Sequence, residues 1–219
     1  MIKYRFCYAK YGDAKYVSHL DLIRLFSRSF KRAQIPLTYS EGFNPHPKMA
    51  IGLPLSVGVT SEGEYMDAET ERQLSQGDFD RLNSCLPRGL HINGAAELIP
   101  GMKKLADIRW ATYRVTVSSG ILSRIDIEAF MARTDVIIEK KTKRKTEDTD
   151  ILPDIMDLSL AGITEDGVIL SMTLSAGPAA NLKPELVLLA MEQYIEGFCV
   201  TDYEIHRVQI LADGGRPLL

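Results

Sequence analysis

Four cations recur near the start of the chain at helical spacing. Arg24, Arg28, Lys31 and Arg32 stand at i, i+4, i+7 and i+8, which places them on one face of a helix predicted over residues 18–34. Leu22, Ile23, Phe26, Phe30 and Ala33 form the opposite, apolar stripe of the same helix. After Asp21 no acid interrupts the cations, so they repel one another unless an anion lies along the face; a phosphate backbone suits that need. The competing reading is a solvated face whose cations are drawn to the negative C-terminal end of the helix dipole.

A second cluster follows in the loop Ser40-Glu41-Gly42-Phe43-Asn44-Pro45-His46-Pro47-Lys48. The two prolines fix φ on either side of His46 and restrict the residues before them, while Gly42 permits a positive φ. Such a loop presents Phe43 for stacking on a base, and Asn44, His46 and Lys48 for contact with a base edge, a phosphate or a partner protein. Alternatively it is a rigid connection between strands, its prolines reducing only the entropy of the unfolded chain. His46 with Tyr39 or Lys48 also offers acid–base groups for metal-independent RNA cleavage. His19 and Asp21 point apart at a helix start, where Ser18 reads as the N-cap and Asp21 as its partner three residues on.

Other chemistries lack their residues. The chain has no phosphate-binding G-x-x-x-x-G-K-[ST] loop, no G-x-G-x-x-G turn and no G-x-S-x-G nucleophile elbow. Its four histidines (19, 46, 91 and 206) do not pair at metal-ligand spacing, and Cys7, Cys85 and Cys199 form no C-x-x-C, so no metal and no cofactor is expected. A last basic run, Lys140-Lys141-Thr142-Lys143-Arg144-Lys145, is followed by Glu147, Asp148 and Asp150; it reads as a solvated hairpin, with RNA contact the other possibility.

The elements that carry these groups belong to an ordinary globular chain of 219 residues, 45% hydrophobic and 25% charged. The net charge of −3 conceals a segregation: residues 1–60 hold nine Lys/Arg against three acids, and residues 61–100 hold three against eight. Local asymmetry of this kind points to an anionic partner better than the total does. Three scattered cysteines and the lack of a long apolar run lead us to expect a soluble, cytoplasmic protein without disulfides.

Along the chain, a half-buried strand (Ile2, Tyr4, Phe6 and Tyr8 alternating with Lys3, Arg5 and Cys7) precedes the basic helix, which Pro36 closes. Extended segments at 37–41 and 48–55, a strand at 63–69, a helix at 78–86 and a strand at 90–98 follow. The order is β-α-β-β-α-β, the ferredoxin-like split unit. After Pro100-Gly101 the pattern partly repeats: a strand around Tyr113–Val117, a helix at 121–133, a strand at 135–142, a hairpin of 155–163 with 168–175, a helix at 183–196 and a strand at 203–211. The expected fold is α+β with two tandem ferredoxin-like units, 1–100 and 106–213, and a loose tail at 214–219.

The stretch 17–67 carries Val17-Ser18-His19-Leu20-Asp21-Leu22, Phe26-Ser27-Arg28, Lys31-Arg32-Ala33, Ile35-Pro36-Leu37, the Tyr39–Lys48 loop, Gly52, Leu55, Gly58-Val59 and Glu64-Tyr65-x-Asp67. In these residues the chain resembles the radical-SAM-linked protein family of bacteria. The weaker C-terminal likeness runs through the basic segment into Asp150-Ile151 and Pro153-x-Ile155, where the Lys143–Thr149 stretch is longer and more acidic than the family pattern. The resemblance implies a separate radical S-adenosylmethionine enzyme as partner, since this chain lacks the cysteine motif, and a setting in RNA modification or ribosome-related metabolism. It carries over no catalytic residue. The tandem architecture is also similar to the repeat-associated RNA-binding superfamily, although Ser175-Ala176-Gly177-Pro178-Ala179-Ala180 has one glycine where those proteins often have a glycine-rich loop.

The leading expectation is therefore an accessory RNA-binding or substrate-presenting protein. Arg24, Arg28, Lys31, Arg32 and Lys48 would meet phosphate, and Phe43, Asn44 and His46 a base or the partner. The alternatives are the endoribonuclease and a protein-only scaffold for the radical enzyme.

Overall fold

The structure, a computed structural model, describes residues 1–119, 125–141 and 146–219. The chain is a mixed α+β protein of two compact units, one of residues 1–108 with 209–219, the other of residues 109–208.

In the first unit, β1 (Ile2–Lys10) leads through a 3-10 turn into α1 (His19–Arg32). β2 (Met49–Ile51), β3 (Thr60–Thr70), α2 (Gln76–Cys85) and β4 (Leu90–Glu97) follow. β1 pairs antiparallel with both β3 and β4, and β2 pairs antiparallel with β3, giving the order β4-β1-β3-β2. Tyr4, Phe6 and Tyr8 of β1 and Met66 and Ala68 of β3 turn one sheet face toward the helices. There they meet Leu22, Phe26 and Phe30, the stripe that makes α1 amphipathic. Phe6 meets Phe30 edge-on at 5.4 Å between ring centroids, and Tyr8 meets Phe26 at 5.0 Å. Each aromatic ring buried this way contributes about 2–3 kcal/mol and fixes the rotation of α1, hence the direction of its outer face.

The other face of this sheet departs from the half-buried strand expected of β1. Arg5 is only 1% exposed. A second cluster of Tyr65, Ile108, Ile210, Ala212 and Leu218 covers that side, so charge on β1 is buried by partners instead of being left to water. Arg5 donates in bidentate fashion to Asp67 at 2.7 and 2.8 Å, and also to the carbonyls of Lys103 and Leu218. The C-terminus is correspondingly not a loose tail: Leu218 is buried in this cluster, with Gly214 and Gly215, both at positive φ, making the turn before it.

In the second unit, β5 (Ile108–Ser119) and α3 (Ile127–Met131) are followed by a separate hairpin of β6 (Ile137–Lys141) and β7 (Thr146–Asp150). β8 (Ile155–Ile163), β9 (Gly167–Ser175), α4 (Pro184–Tyr194) and β10 (Val200–Ala212) complete it. The strand order is β10-β5-β9-β8. Pro184 opens α4 as its position suggested. Glu165-Asp166-Gly167 turns β8 into β9, and a Cβ on Gly167 would lie 1.8 Å from the Val117 carbonyl, so only glycine fits. Of the predicted helix 121–133, the part before residue 125 lies outside the described residues, as does Thr142–Lys145 of the basic run. Residues Arg216–Pro217 form β11, paired with the end of β10.

Candidate functional site

Ser18 starts α1 as a cap. Its Oγ accepts from the Asp21 N–H at 3.3 Å and donates to the Asp21 carboxylate at 2.8 Å. Arg24 donates to the same carboxylate at 3.0 Å. The Ser18 hydroxyl, and after it Arg24, hold the Asp21 carboxyl below the ordinary carboxylate range. Asp21 thus serves the cap and not His19, whose Nδ1 is buried with no hydrogen-bond partner among the described residues.

The four helix cations share one groove of about 730 Å³, lined also by Val17, Leu25, Pro87 and Asp21. They are not equivalent. Arg24 is spent on Asp21, and Arg32 donates to the Cys85 carbonyl at 2.8 Å, at the C-terminal end of α2 where unpaired carbonyls collect. Arg28 and Lys31 are exposed and have no hydrogen bond or ion pair among the described residues. Sequence spacing placed the four together; which of them stay free is decided by groups elsewhere in the chain.

Lys48 stands apart. Its Nζ lies 3.4 Å from Glu69, next along β3 from Ala68. Because Ala68 points to the helices, Glu69 and Lys48 lie on the opposite sheet face, away from the α1 cations. The structure does not bring Lys48 into one site with Arg28 and Lys31.

The loop 40–48 is a tied arch. Tyr39 and Pro47 form a backbone bridge, and the Ser40 N–H donates to the His46 carbonyl at 2.9 Å. The His46 N–H donates to Ser40 Oγ at 3.1 Å, and the same hydroxyl meets His46 Nδ1 at 2.9 Å. With one proton and one lone pair left after accepting from the backbone, Oγ pairs with Nδ1 in either tautomer of the imidazole and ties the ring to the arch. Phe43 at the crown is fully exposed, with Gly42 at φ 119° and Asn44 exposed beside it. Neither Tyr39 nor Lys48 hydrogen-bonds His46, so the acid–base set for RNA cleavage is not assembled around that imidazole.

Sequence reasoning missed Ser40 as the residue that orients His46; a serine before a turn carries no signal of a partner six residues on. It also missed the knot at the N-terminus of α2, where Asp78 accepts from Ser75, from Arg72 at 2.7 and 2.8 Å, and from Arg81. The Arg72 guanidinium, outweighing the opposing effect of burial, holds the Asp78 carboxyl far below its ordinary range. Among the described residues no group of three or more His, Cys, Asp and Glu side chains is placed to hold a metal ion, and no helix is long and apolar enough to cross a membrane. Cys7, Cys85 and Cys199 are free thiols.

The fold is mixed α+β, with a row of four cations on α1 and an exposed phenylalanine at the crown of the loop. Residues 3–184 match the family described as "Uncharacterized protein conserved in bacteria (DUF2344)", and the chain belongs to that family. No curated protein matches it. Among solved structures the chain is similar to one in a Cbf5–Nop10–Gar1 complex, with a TM-score of 0.48 and 10% identity over 94% of this chain and 49% of that one. It is also similar to one in an archaeal box H/ACA sRNP Nop10–Cbf5 complex, with a TM-score of 0.45 and 11% identity over 92% of this chain and 46% of that one. The chain spans about half the length of these solved chains.

Proposed function

We propose that this protein binds single-stranded RNA through the outer face of α1 and presents it to a separate radical S-adenosylmethionine enzyme in the cytoplasm. The observation that carries the RNA reading is the pair Arg28 and Lys31: two exposed cations with no hydrogen bond or ion pair among the described residues, on one helix face, lining one groove. Buried or paired cations are structural; unpaired ones held side by side on a rigid helix repel each other and are relieved by an anion. Arg24 and Arg32 extend the row where RNA phosphate displaces the Asp21 carboxylate and the Cys85 carbonyl from them. Phe43, Asn44 and His46 then meet a base or the partner enzyme. Support for the enzyme partner is the resemblance of residues 17–67 to the radical-SAM-linked family. We further read both units as ferredoxin-like: each runs β-α-β-β-α-β, in the orders β4-β1-β3-β2 and β10-β5-β9-β8, the second with the hairpin β6–β7 inserted.

The test is a titration of labelled single-stranded RNA followed by fluorescence anisotropy at several salt concentrations. Affinity should fall steeply with salt, and each of Arg28→Ala and Lys31→Ala should lower the slope of log K against log salt by about 1, whatever the RNA sequence. Absence of binding, or a slope unmoved by both substitutions, refutes the assignment. A protein-only scaffold is favoured by the apolar Val17, Leu25 and Pro87 within the same groove. A pull-down of the radical enzyme that survives nuclease and high salt would select that reading.

A further inference from the structure

The helix face does not end at Lys31. A second groove of about 490 Å³, which Lys31 also lines, is bounded by Gln34, Pro36, Tyr39, Glu71 and Arg72. We propose that this groove is a base-reading subsite, holding one nucleotide of a single-stranded RNA whose phosphates lie along Arg28 and Lys31, and so rests on the RNA reading above.

Three observations carry it. Gln34 follows α1 with φ 59°, and it is the one residue other than glycine at positive φ among the described residues. The helix ends in a Schellman turn around it: the Ile35 N–H donates to the Phe30 carbonyl at 3.0 Å, and the Gln34 N–H to the Lys31 carbonyl at 3.1 Å. Glycine is the usual residue there, because a side chain is strained in the left-handed region. Glutamine retains an amide at the groove instead, and that amide has no hydrogen-bond partner among the described residues. Tyr39 is 48% exposed, yet its backbone is pinned by the bridge to Pro47, so its ring is a stacking surface on a fixed base. Arg72 is held in bidentate fashion by Asp78 and cannot wander, which fixes a positive charge at the wall.

Chemistry narrows the occupant. A tyrosine ring, an amide with both donor and acceptor, a carboxylate and a lysine at 490 Å³ suit one nucleotide: base on ring, edge on amide, phosphate on ammonium. Glu71 accepts hydrogen bonds and donates none, and its charge opposes the paired carbonyls of uracil. The site therefore prefers bases with an exocyclic amine over uracil.

The experiment measures binding of the full chain to short homopolymers of each ribonucleotide, with thermal unfolding in parallel. Gln34→Gly removes the strain and the amide together: Tm should rise by a few degrees while the preference against uracil weakens, a split that a purely structural glutamine would not produce. Tyr39→Leu should weaken binding about tenfold and Tyr39→Phe should restore it. Glu71→Gln should raise affinity for oligouridine toward that for the amine-bearing homopolymers. If wild type binds RNA but these variants bind with unchanged affinity and preference, the subsite is wrong and the helix reading stands. If wild type binds none of the homopolymers, the helix reading fails and takes the subsite with it.

Discussion

The two faces of the first unit's sheet handle charge in opposite ways. On the face away from the helices, Arg5 is buried against Asp67 and two carbonyls, and Lys48 is drawn to Glu69. Over the helix-bearing face, the outer side of α1 leaves Arg28 and Lys31 with no hydrogen bond or ion pair among the described residues. Desolvation explains the contrast. A cation covered by packed side chains must be matched by an acceptor or the unit does not fold, whereas an exposed one needs no match for stability. Charge that stability does not require is the charge available for a ligand, so the free pair on α1 is a better guide to function than the more numerous paired groups.

Breaking the paired side of the comparison has the largest expected effect. Arg5→Ala leaves the Asp67 carboxylate without its partner and removes the donor to the Lys103 and Leu218 carbonyls; the loss should be about 3–5 kcal/mol in denaturant unfolding. The double variant Arg5→Met/Asp67→Leu should recover most of that loss, because it removes both charges and keeps the volume. If Arg5→Ala alone were neutral, the pair would not be structural and the contrast between the two faces would collapse.

Asp78→Asn comes next, at about 1–2 kcal/mol, since it undoes the cap of α2 and releases Arg72 and Arg81. The folded carboxyl titrates below its unfolded value. Its contribution is therefore complete above the unfolded pKa of about 3.9 and is lost as pH falls through the lower folded value. The Tm difference between wild type and Asp78→Asn should be constant from pH 7 to about 4 and shrink only below that. A difference that grew on acidification would refute the charged-acceptor role.

The difference between the faces was only half legible in the sequence. The row Arg24, Arg28, Lys31 and Arg32 and the stripe behind it are local, repeat at helical period, and could be read directly. Apart from Asp21, three residues before Arg24, the partners that hold cations on the two faces are not local: Asp67 is 62 residues from Arg5, and Cys85 is 53 from Arg32. Nothing in a linear reading ranks those pairings, which is why Lys48 was grouped with the helix cations it does not join. The end of α1 was assigned to Pro36, the conventional breaker, while the turn is made by Gln34, a residue with no such signature. In the second unit the hairpin β8–β9 was legible from its turn and alternation, and a strand at 135–142 leading into a hairpin was expected at the basic run; the bounds of its second strand were not legible, because Thr146–Asp150 is wholly polar and has no apolar period.

On the free side of the comparison, effects on stability should be small and effects on binding specific. Arg28→Ala and Lys31→Ala should each shift unfolding by no more than about 0.5 kcal/mol, since neither removes an internal partner. That near-neutrality separates them from Arg5→Ala and makes any change in RNA affinity a statement about the surface.

A small stability effect is also expected at Ser40, which makes it the sharpest probe of the loop. Ser40→Ala deletes the hydroxyl that accepts from the His46 N–H and meets Nδ1, yet preserves the backbone bond from the Ser40 N–H to the His46 carbonyl. The arch is exposed, so water replaces the lost bonds and the stability change should stay within about 1 kcal/mol. The imidazole, however, loses the group that ties its ring to the arch. Nitrogen-15 chemical shifts of His46 should report one dominant tautomer in wild type and a mixture in Ser40→Ala. If both proteins showed the same mixture, Ser40 would not orient the ring, and His46 would be a solvated side chain on a strut instead of a ring tied to the arch.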